Sequence, residues 1–121
     1  MSTNLHGLAE ARSLAYHQVI AQRLRRDASI VTDARNRLKR WDVDSHYAQA
    51  WLAILDRTVD EIAYFIVEDT DEARALRQSS PFAGCLSPKE RWHIWRSVKS
   101  VHDAKYAQHA HSKLLGMDTN R

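Results

Sequence analysis

The sequence predicts an all-α fold, a compact bundle of about six helices that ends in a long C-terminal helix. Three observations lead there. Three glycines and two prolines in 121 residues are too few for a β-rich domain, whose tight turns need several glycines. Apolar residues recur at helical spacing rather than alternating along strands. Polar residues suited to capping a helix, Asp27, Ser45, Thr58, Thr70 and Ser87, stand one after another ahead of the apolar stretches.

The first helix is placed at about residues 5 to 25, where Leu8, Ala11, Ala15, Val19 and Leu24 form a stripe that Tyr16 and Ile20 widen. Asp27 is expected to cap a second helix through Ile30, Val31, Ala34 and Leu38, ending near Trp41, with Arg35, Arg37, Lys39 and Arg40 on its other faces. Ser45 caps a third helix carrying Ala48, Trp51, Leu52 and Leu55. Thr58-Val-Asp-Glu61 reads as a capping box, in which the hydroxyl and the carboxylate satisfy orphan amides ahead of Ile62, Ala63, Ile66 and Val67. Thr70 followed by Asp71 and Glu72 starts a short fifth helix through Ala73, Leu76 and Arg77, its acids placed at the positive end of the helix dipole. Ser87-Pro-Lys-Glu90 is the clearest start signal, and nothing stops the helix it opens before Gly116. A helix over residues 88 to 115 would be about 40 Å long, against a radius of gyration near ~14 Å for a domain of this size, so its far end overhangs the core as a docking arm, a dimer contact or a frayed tail. Trp41, Trp51, Trp92 and Trp95 each fall on the apolar stripe of a helix and are expected in the core.

Composition sets the remaining bounds. With 44% hydrophobic and 27% charged residues, the chain is globular, and its length suits one domain over residues 1–121 with 116–121 as a flexible tail. The single cysteine, Cys85, has no internal disulfide partner. The N-terminus lacks the basic and apolar segments of a secretion signal, and no apolar stretch reaches membrane-spanning length, so a cytoplasmic, membrane-free protein is expected.

Charge is uneven although the net value is only +3. Arg23, Arg25, Arg26, Arg35, Arg37, Lys39 and Arg40 form a basic run opposed by Asp27 and Asp33, and the balance reverses between Asp56 and Glu72. These are either solvated helix faces that attract one another, or an anion-facing surface in which Arg35, Arg37, Lys39 and Arg40 contact nucleic acid. Arg91-Trp92-His-Ile-Trp95-Arg96 mixes aromatics and cations as single-strand binders do, yet two tryptophans at i and i+3 are expected to be core. No pair of the seven histidines has the i, i+4 spacing of a helical zinc site, and His102 and His109 are two turns apart, so no metal or other cofactor is called for. No nucleophile stands beside an activating base in sequence; Ser79 and Ser80 precede a proline, where serines serve turns and caps. No catalytic residue is assigned.

The segments Leu76-Arg-Gln-Ser-Ser-Pro-Phe-Ala-Gly84 and Leu86-Ser-Pro-Lys-Glu-Arg-Trp92, with the opening Ala11-Arg-Ser-Leu-Ala-Tyr-His17, resemble a family of small all-helical bacterial proteins whose plan is similar to antitoxins of type II toxin–antitoxin pairs. The resemblance spans about residues 9 to 98. It implies a cytosolic protein that covers the active site of a toxin encoded beside it. Many such antitoxins carry a separate DNA-binding domain, which this chain lacks, so autorepression is not implied. A homo-oligomer is a further option. The interface is expected at Arg77, Gln78, Ser79, Ser80 and Phe82 together with Arg91: Pro81 fixes the backbone, Gly84 permits a tight turn, and Phe82 is presented between them beside an arginine. The competing reading has Phe82 plugging the bundle while Arg77 and Ser79 cap a helix end.

Overall fold

A computed structural model describes residues 2–41 and 45–114, with side chains over 7–41, 45–105 and at 107. Among the described residues it contains six α-helices, one 3-10 turn and no strand: α1 (Ser2–Arg26), α2 (Ser29–Leu38), α3 (His46–Leu55), α4 (Val59–Phe65), α5 (Asp71–Arg77), the turn Ala83–Cys85, and α6 (Pro88–Leu114). The all-α bundle with its long last helix is therefore the fold of this chain. The expected tail at 116–121 lies outside the described residues.

Local chemistry sets the helix starts. Ser45 accepts from the Ala48 amide at 3.0 Å, and Thr70 from Ala73 at 3.1 Å. Thr58 and Glu61 form a reciprocal capping box, and Ser87 and Glu90 form another across 3.0 and 3.1 Å. α2 begins one place later than an Asp27 cap would start it. The Asp27 carboxylate accepts from the amide and hydroxyl of Ser29 at 3.0 and 2.6 Å, while Ala28 is the residue preceding α2 and offers no side-chain cap. α2 also stops at Leu38 rather than Trp41, which follows in a turn and packs half-buried against the core.

α1 is the central element. It contacts α2, α4, α5, the 3-10 turn and α6. Arg23 pairs with Glu90, Arg12 lies over Trp95, and Gly7 shares a groove with Lys105. Contacts thus advance along α6 as they retreat along α1, and the two long helices run antiparallel. Ile20 and Leu24 of α1 meet Ala34 and Leu38 of α2, Trp51, Ile54 and Leu55 of α3, Ile62, Phe65 and Ile66 of α4, and Leu76 of α5 in one apolar cluster. At its centre Trp51 makes edge-to-face contacts with Phe65 and Phe82, at centroid separations of 6.4 and 5.9 Å, within the favoured range for aromatic pairs.

Phe82 is 0% exposed. The expectation that the 77–84 loop presents it to a partner is corrected: Phe82 plugs the bundle, because an aromatic ring gains more by leaving water for a preformed apolar cavity than by standing on the surface. Arg77 is corrected in the same way. It is 7% exposed, and its guanidinium donates to the carbonyls of Ile66 and Glu68 at 3.2 and 2.8 Å, closing the C-terminal end of α4 where carbonyls lack helical partners. Burial lowers the Arg77 pKa, with Arg74 nearby acting in the same direction.

Trp51 is fully buried as expected, and Trp41 and Trp95 are half-buried. Trp92 is not core. It is 56% exposed. α6 turns Ile94, Trp95 and Val98 inward, and at about 100° per residue Trp92 lies roughly 120° around the helix from that line.

Candidate functional site

The loop after α5 is held from every side. The Ser79 carbonyl accepts from Trp51 Nε1 at 2.9 Å, and the Pro81 carbonyl accepts from Arg37 Nη1 at 3.1 Å. Arg37 also reaches Cys85 Sγ at 3.4 Å and packs so closely on Gly84 that a Cβ there would come within 2.8 Å of its Nε. Gly84 is needed for that approach, not for an unusual backbone angle.

Ser80 belongs to a buried network with His17 of α1. His17, 3% exposed, places Nδ1 2.7 Å from the Ser13 carbonyl and Nε2 2.8 Å from Ser80 Oγ. A carbonyl only accepts, so Nδ1 carries the proton; Nε2 then accepts from the Ser80 hydroxyl, whose oxygen takes the Phe82 amide at 3.1 Å. Desolvation lowers the His17 pKa to about 4, against the raising effect of the Ser13 bond and with Arg77 adding to the depression. The pair has the composition of a nucleophile and its base, but so weak a base is poorly matched to proton abstraction near neutral pH. Neither residue lines any of the main surface cavities among the described residues. Its evident work is to latch α1 to the loop. A buried polar residue one turn before Ile20 on the same stripe was the available sequence signal.

Three of the seven cations in the basic run, Arg23, Arg25 and Arg35, are neutralised within the fold. Arg35 donates to the Leu55 carbonyl and pairs with Asp56 at 2.8 and 2.9 Å, Arg25 pairs with Asp60 at 3.6 Å, and Arg23 with Glu90. Arg37 is engaged with the loop, and Arg26, Lys39 and Arg40 are exposed. The acidic stretch that the sequence placed opposite is thus the run's own partner. Of the six expected interface residues, Gln78, Ser79 and Arg91 are exposed, Ser80 is half-buried, and Arg77 and Phe82 are inside.

A different surface combines exposed rings with uncompensated charge. Two depressions of about 480 and 530 Å³ share Trp92 and Trp95 and run together along α6. Arg12, Tyr16, Pro88 and Arg91 line the first, and Arg96, Lys99 and Asp103 line the second. The Tyr16 hydroxyl donates to the Arg91 carbonyl at 3.4 Å across the floor. Arg12 lies 5.3 Å over the Trp95 ring, and Arg96 6.0 Å over Trp92. No carboxylate among the described residues pairs with Arg12, Lys89, Arg91 or Arg96, whereas Lys99 meets Asp103 at 3.7 Å. The lining thus carries three uncancelled cations, Arg12, Arg91 and Arg96, beside a tryptophan that is more than half exposed.

Among the described residues, no group of three or more His, Cys, Asp or Glu side chains is placed to hold a metal ion, and no helix is long and apolar enough to cross a membrane. No protein-family model matches the chain, and comparison with curated proteins and with solved structures returns no match.

Proposed function

We propose that this chain is an antitoxin-like protein-interaction module of the bacterial cytoplasm, one that performs no chemistry of its own and holds a protein partner against the Trp92 face of α6. The observation that carries the reading is the exposure of Trp92. Leaving a tryptophan half in water forgoes burial free energy that the folded chain alone could have gained, and such rings flanked by arginine are the residues that dominate protein interfaces. Tyr16, Trp95, Arg12 and Arg91 around it supply the same residue types. The resemblance to type II antitoxins supplies the kind of partner, a toxin encoded beside this protein. Nucleic-acid binding through Arg35, Arg37, Lys39 and Arg40 ranks behind, because two of those four arginine and lysine side chains already hold the fold together.

The test is retention of the product of the adjacent gene by the full chain. Trp92→Ala and Arg91→Glu, each with an unchanged melting temperature, are expected to lower retention at least tenfold, while Lys39→Glu with Arg40→Glu leaves it intact. Undiminished retention by the two α6 variants overturns the assignment.

A further inference from the structure

We propose that the segment received by this face is an acidic stretch of polypeptide, its carboxylates pairing with Arg12, Arg91 and Arg96 while an apolar side chain packs against the part of Trp92 that Arg96 leaves open. The inference rests on the reading of the α6 face as the binding surface and names the chemistry of what binds there. Charge complementarity carries it. From Pro88 to Asp103 the groove follows α6 for about 22 Å, and along it Arg12, Arg91 and Arg96 have no carboxylate partner among the described residues.

The rings decide between a peptide and a nucleic acid. Single-strand binders offer open aromatic faces on which successive bases stack. Here the Arg96 guanidinium lies over Trp92 and the Arg12 guanidinium over Trp95. A base would have to displace a cation from each ring. A carboxylate needs no displacement: its two oxygens meet the planar fork of guanidinium N–H groups. The arginine stays on its tryptophan and gains an anion.

The face is also polarised. Toward its Pro88 end Arg12 and Arg91 are exposed, whereas at the other end Lys99 is already paired with Asp103. The partner's acids should therefore gather opposite residues 88–96. Opposite Asp103 the partner is expected to be neutral or basic, since like charges repel there.

The full chain, immobilised, is used to select from a phage-displayed library of random 15-residue peptides, and the strongest binder is then synthesised. Expected is a peptide of net negative charge with at least one aliphatic or aromatic residue. Its affinity should fall at least tenfold in Arg91→Glu/Arg96→Glu and in Trp92→Ala, fall by a smaller factor in Arg91→Gln/Arg96→Gln, and stay within twofold in Lys39→Glu/Arg40→Glu. Melting temperatures are measured for every variant, and the glutamine pair serves if charge reversal disturbs folding. Selected peptides that are neutral or basic, or an acidic peptide held equally well by the α6 variants, overturn the proposal. A fluorescent (dT)15 strand is titrated in parallel. If it binds more tightly than the peptide and is lost in the arginine variants, the face is a binding surface for nucleic acid and the peptide assignment is wrong. If neither ligand responds to any α6 substitution, the reading of the face itself fails.

Discussion

Acid is expected to loosen this protein through His17. The ring is buried, donates from Nδ1 to the Ser13 carbonyl and accepts from Ser80, so a second proton would have to enter at Nε2 and deprive the Ser80 hydroxyl of its acceptor. Burial and the nearby Arg77 guanidinium lower the folded pKa to about 4 from the usual 6.5. The unfolded chain therefore binds that proton more readily than the folded one. The stability this provides is fully present above pH 6.5, falls as the pH drops below that value, and is gone below about pH 4. Each tenfold difference in proton affinity is worth about 1.4 kcal/mol, which makes the full effect about 3 kcal/mol, of which about 2 kcal/mol is lost between pH 7 and pH 5. Asp27 is held below its usual range by the Ser29 hydroxyl and amide, and Glu61 by the Thr58 amide and hydroxyl, so both titrate beneath that window. Urea unfolding at the two pH values, on the parent and on His17→Gln, isolates the histidine. The variant should be less stable at pH 7 and should lack the extra ~2 kcal/mol loss on acidification. Parallel pH dependences in the two proteins, or an imidazole NMR titration for His17 centred near 6.5, would refute the argument.

Two further outcomes follow from packing. Trp51→Ala should cost about 3 to 5 kcal/mol of unfolding free energy, because it empties the contact with Phe65 and Phe82 and orphans the Ser79 carbonyl, while Trp92→Ala should stay within about 1 kcal/mol; chemical denaturation of both variants checks the contrast, and equal losses would place Trp92 in the core. Gly84→Ala should push Arg37 off the Pro81 carbonyl and cost about 1 to 2 kcal/mol, and in an Arg37→Ala background the same substitution should cost close to nothing; additive losses in that double-mutant cycle would show that the two positions do not meet.

Most of the helical plan was legible because its signals are local. Ser45, Thr58, Thr70 and Ser87 cap the helices they precede, since a cap needs only a side-chain oxygen within reach of an amide three residues on. The end of α2 was read three residues too far because Trp41 continues the apolar spacing of Leu38 without continuing the helix. The candidate site was read less well. Phe82 and Arg77 were given to a partner and lie inside, and Trp92 was given to the core and lies outside. Around α6 the apolar residues Trp92, Ile94, Trp95, Val98 and Val101 form a stripe about 180° wide with Trp92 at its edge, and the spacing alone does not say how much of that width a neighbour covers.

By itself, then, the sequence determined the all-α class, the number and order of the helices and nearly every helix start, for these depend on residues a few places apart. Tertiary structure decided which charges cancel and which rings stay wet. Arg35 meets Asp56 and Arg23 meets Glu90 across 21 and 67 residues, and His17 meets Ser80 across 63. Arg12 and Arg91, by contrast, come together on α1 and α6 with no acid opposite them. Pairings over such separations depend on how α1 lies against every other element, and periodicity within one helix carries no information about the face its neighbour will cover.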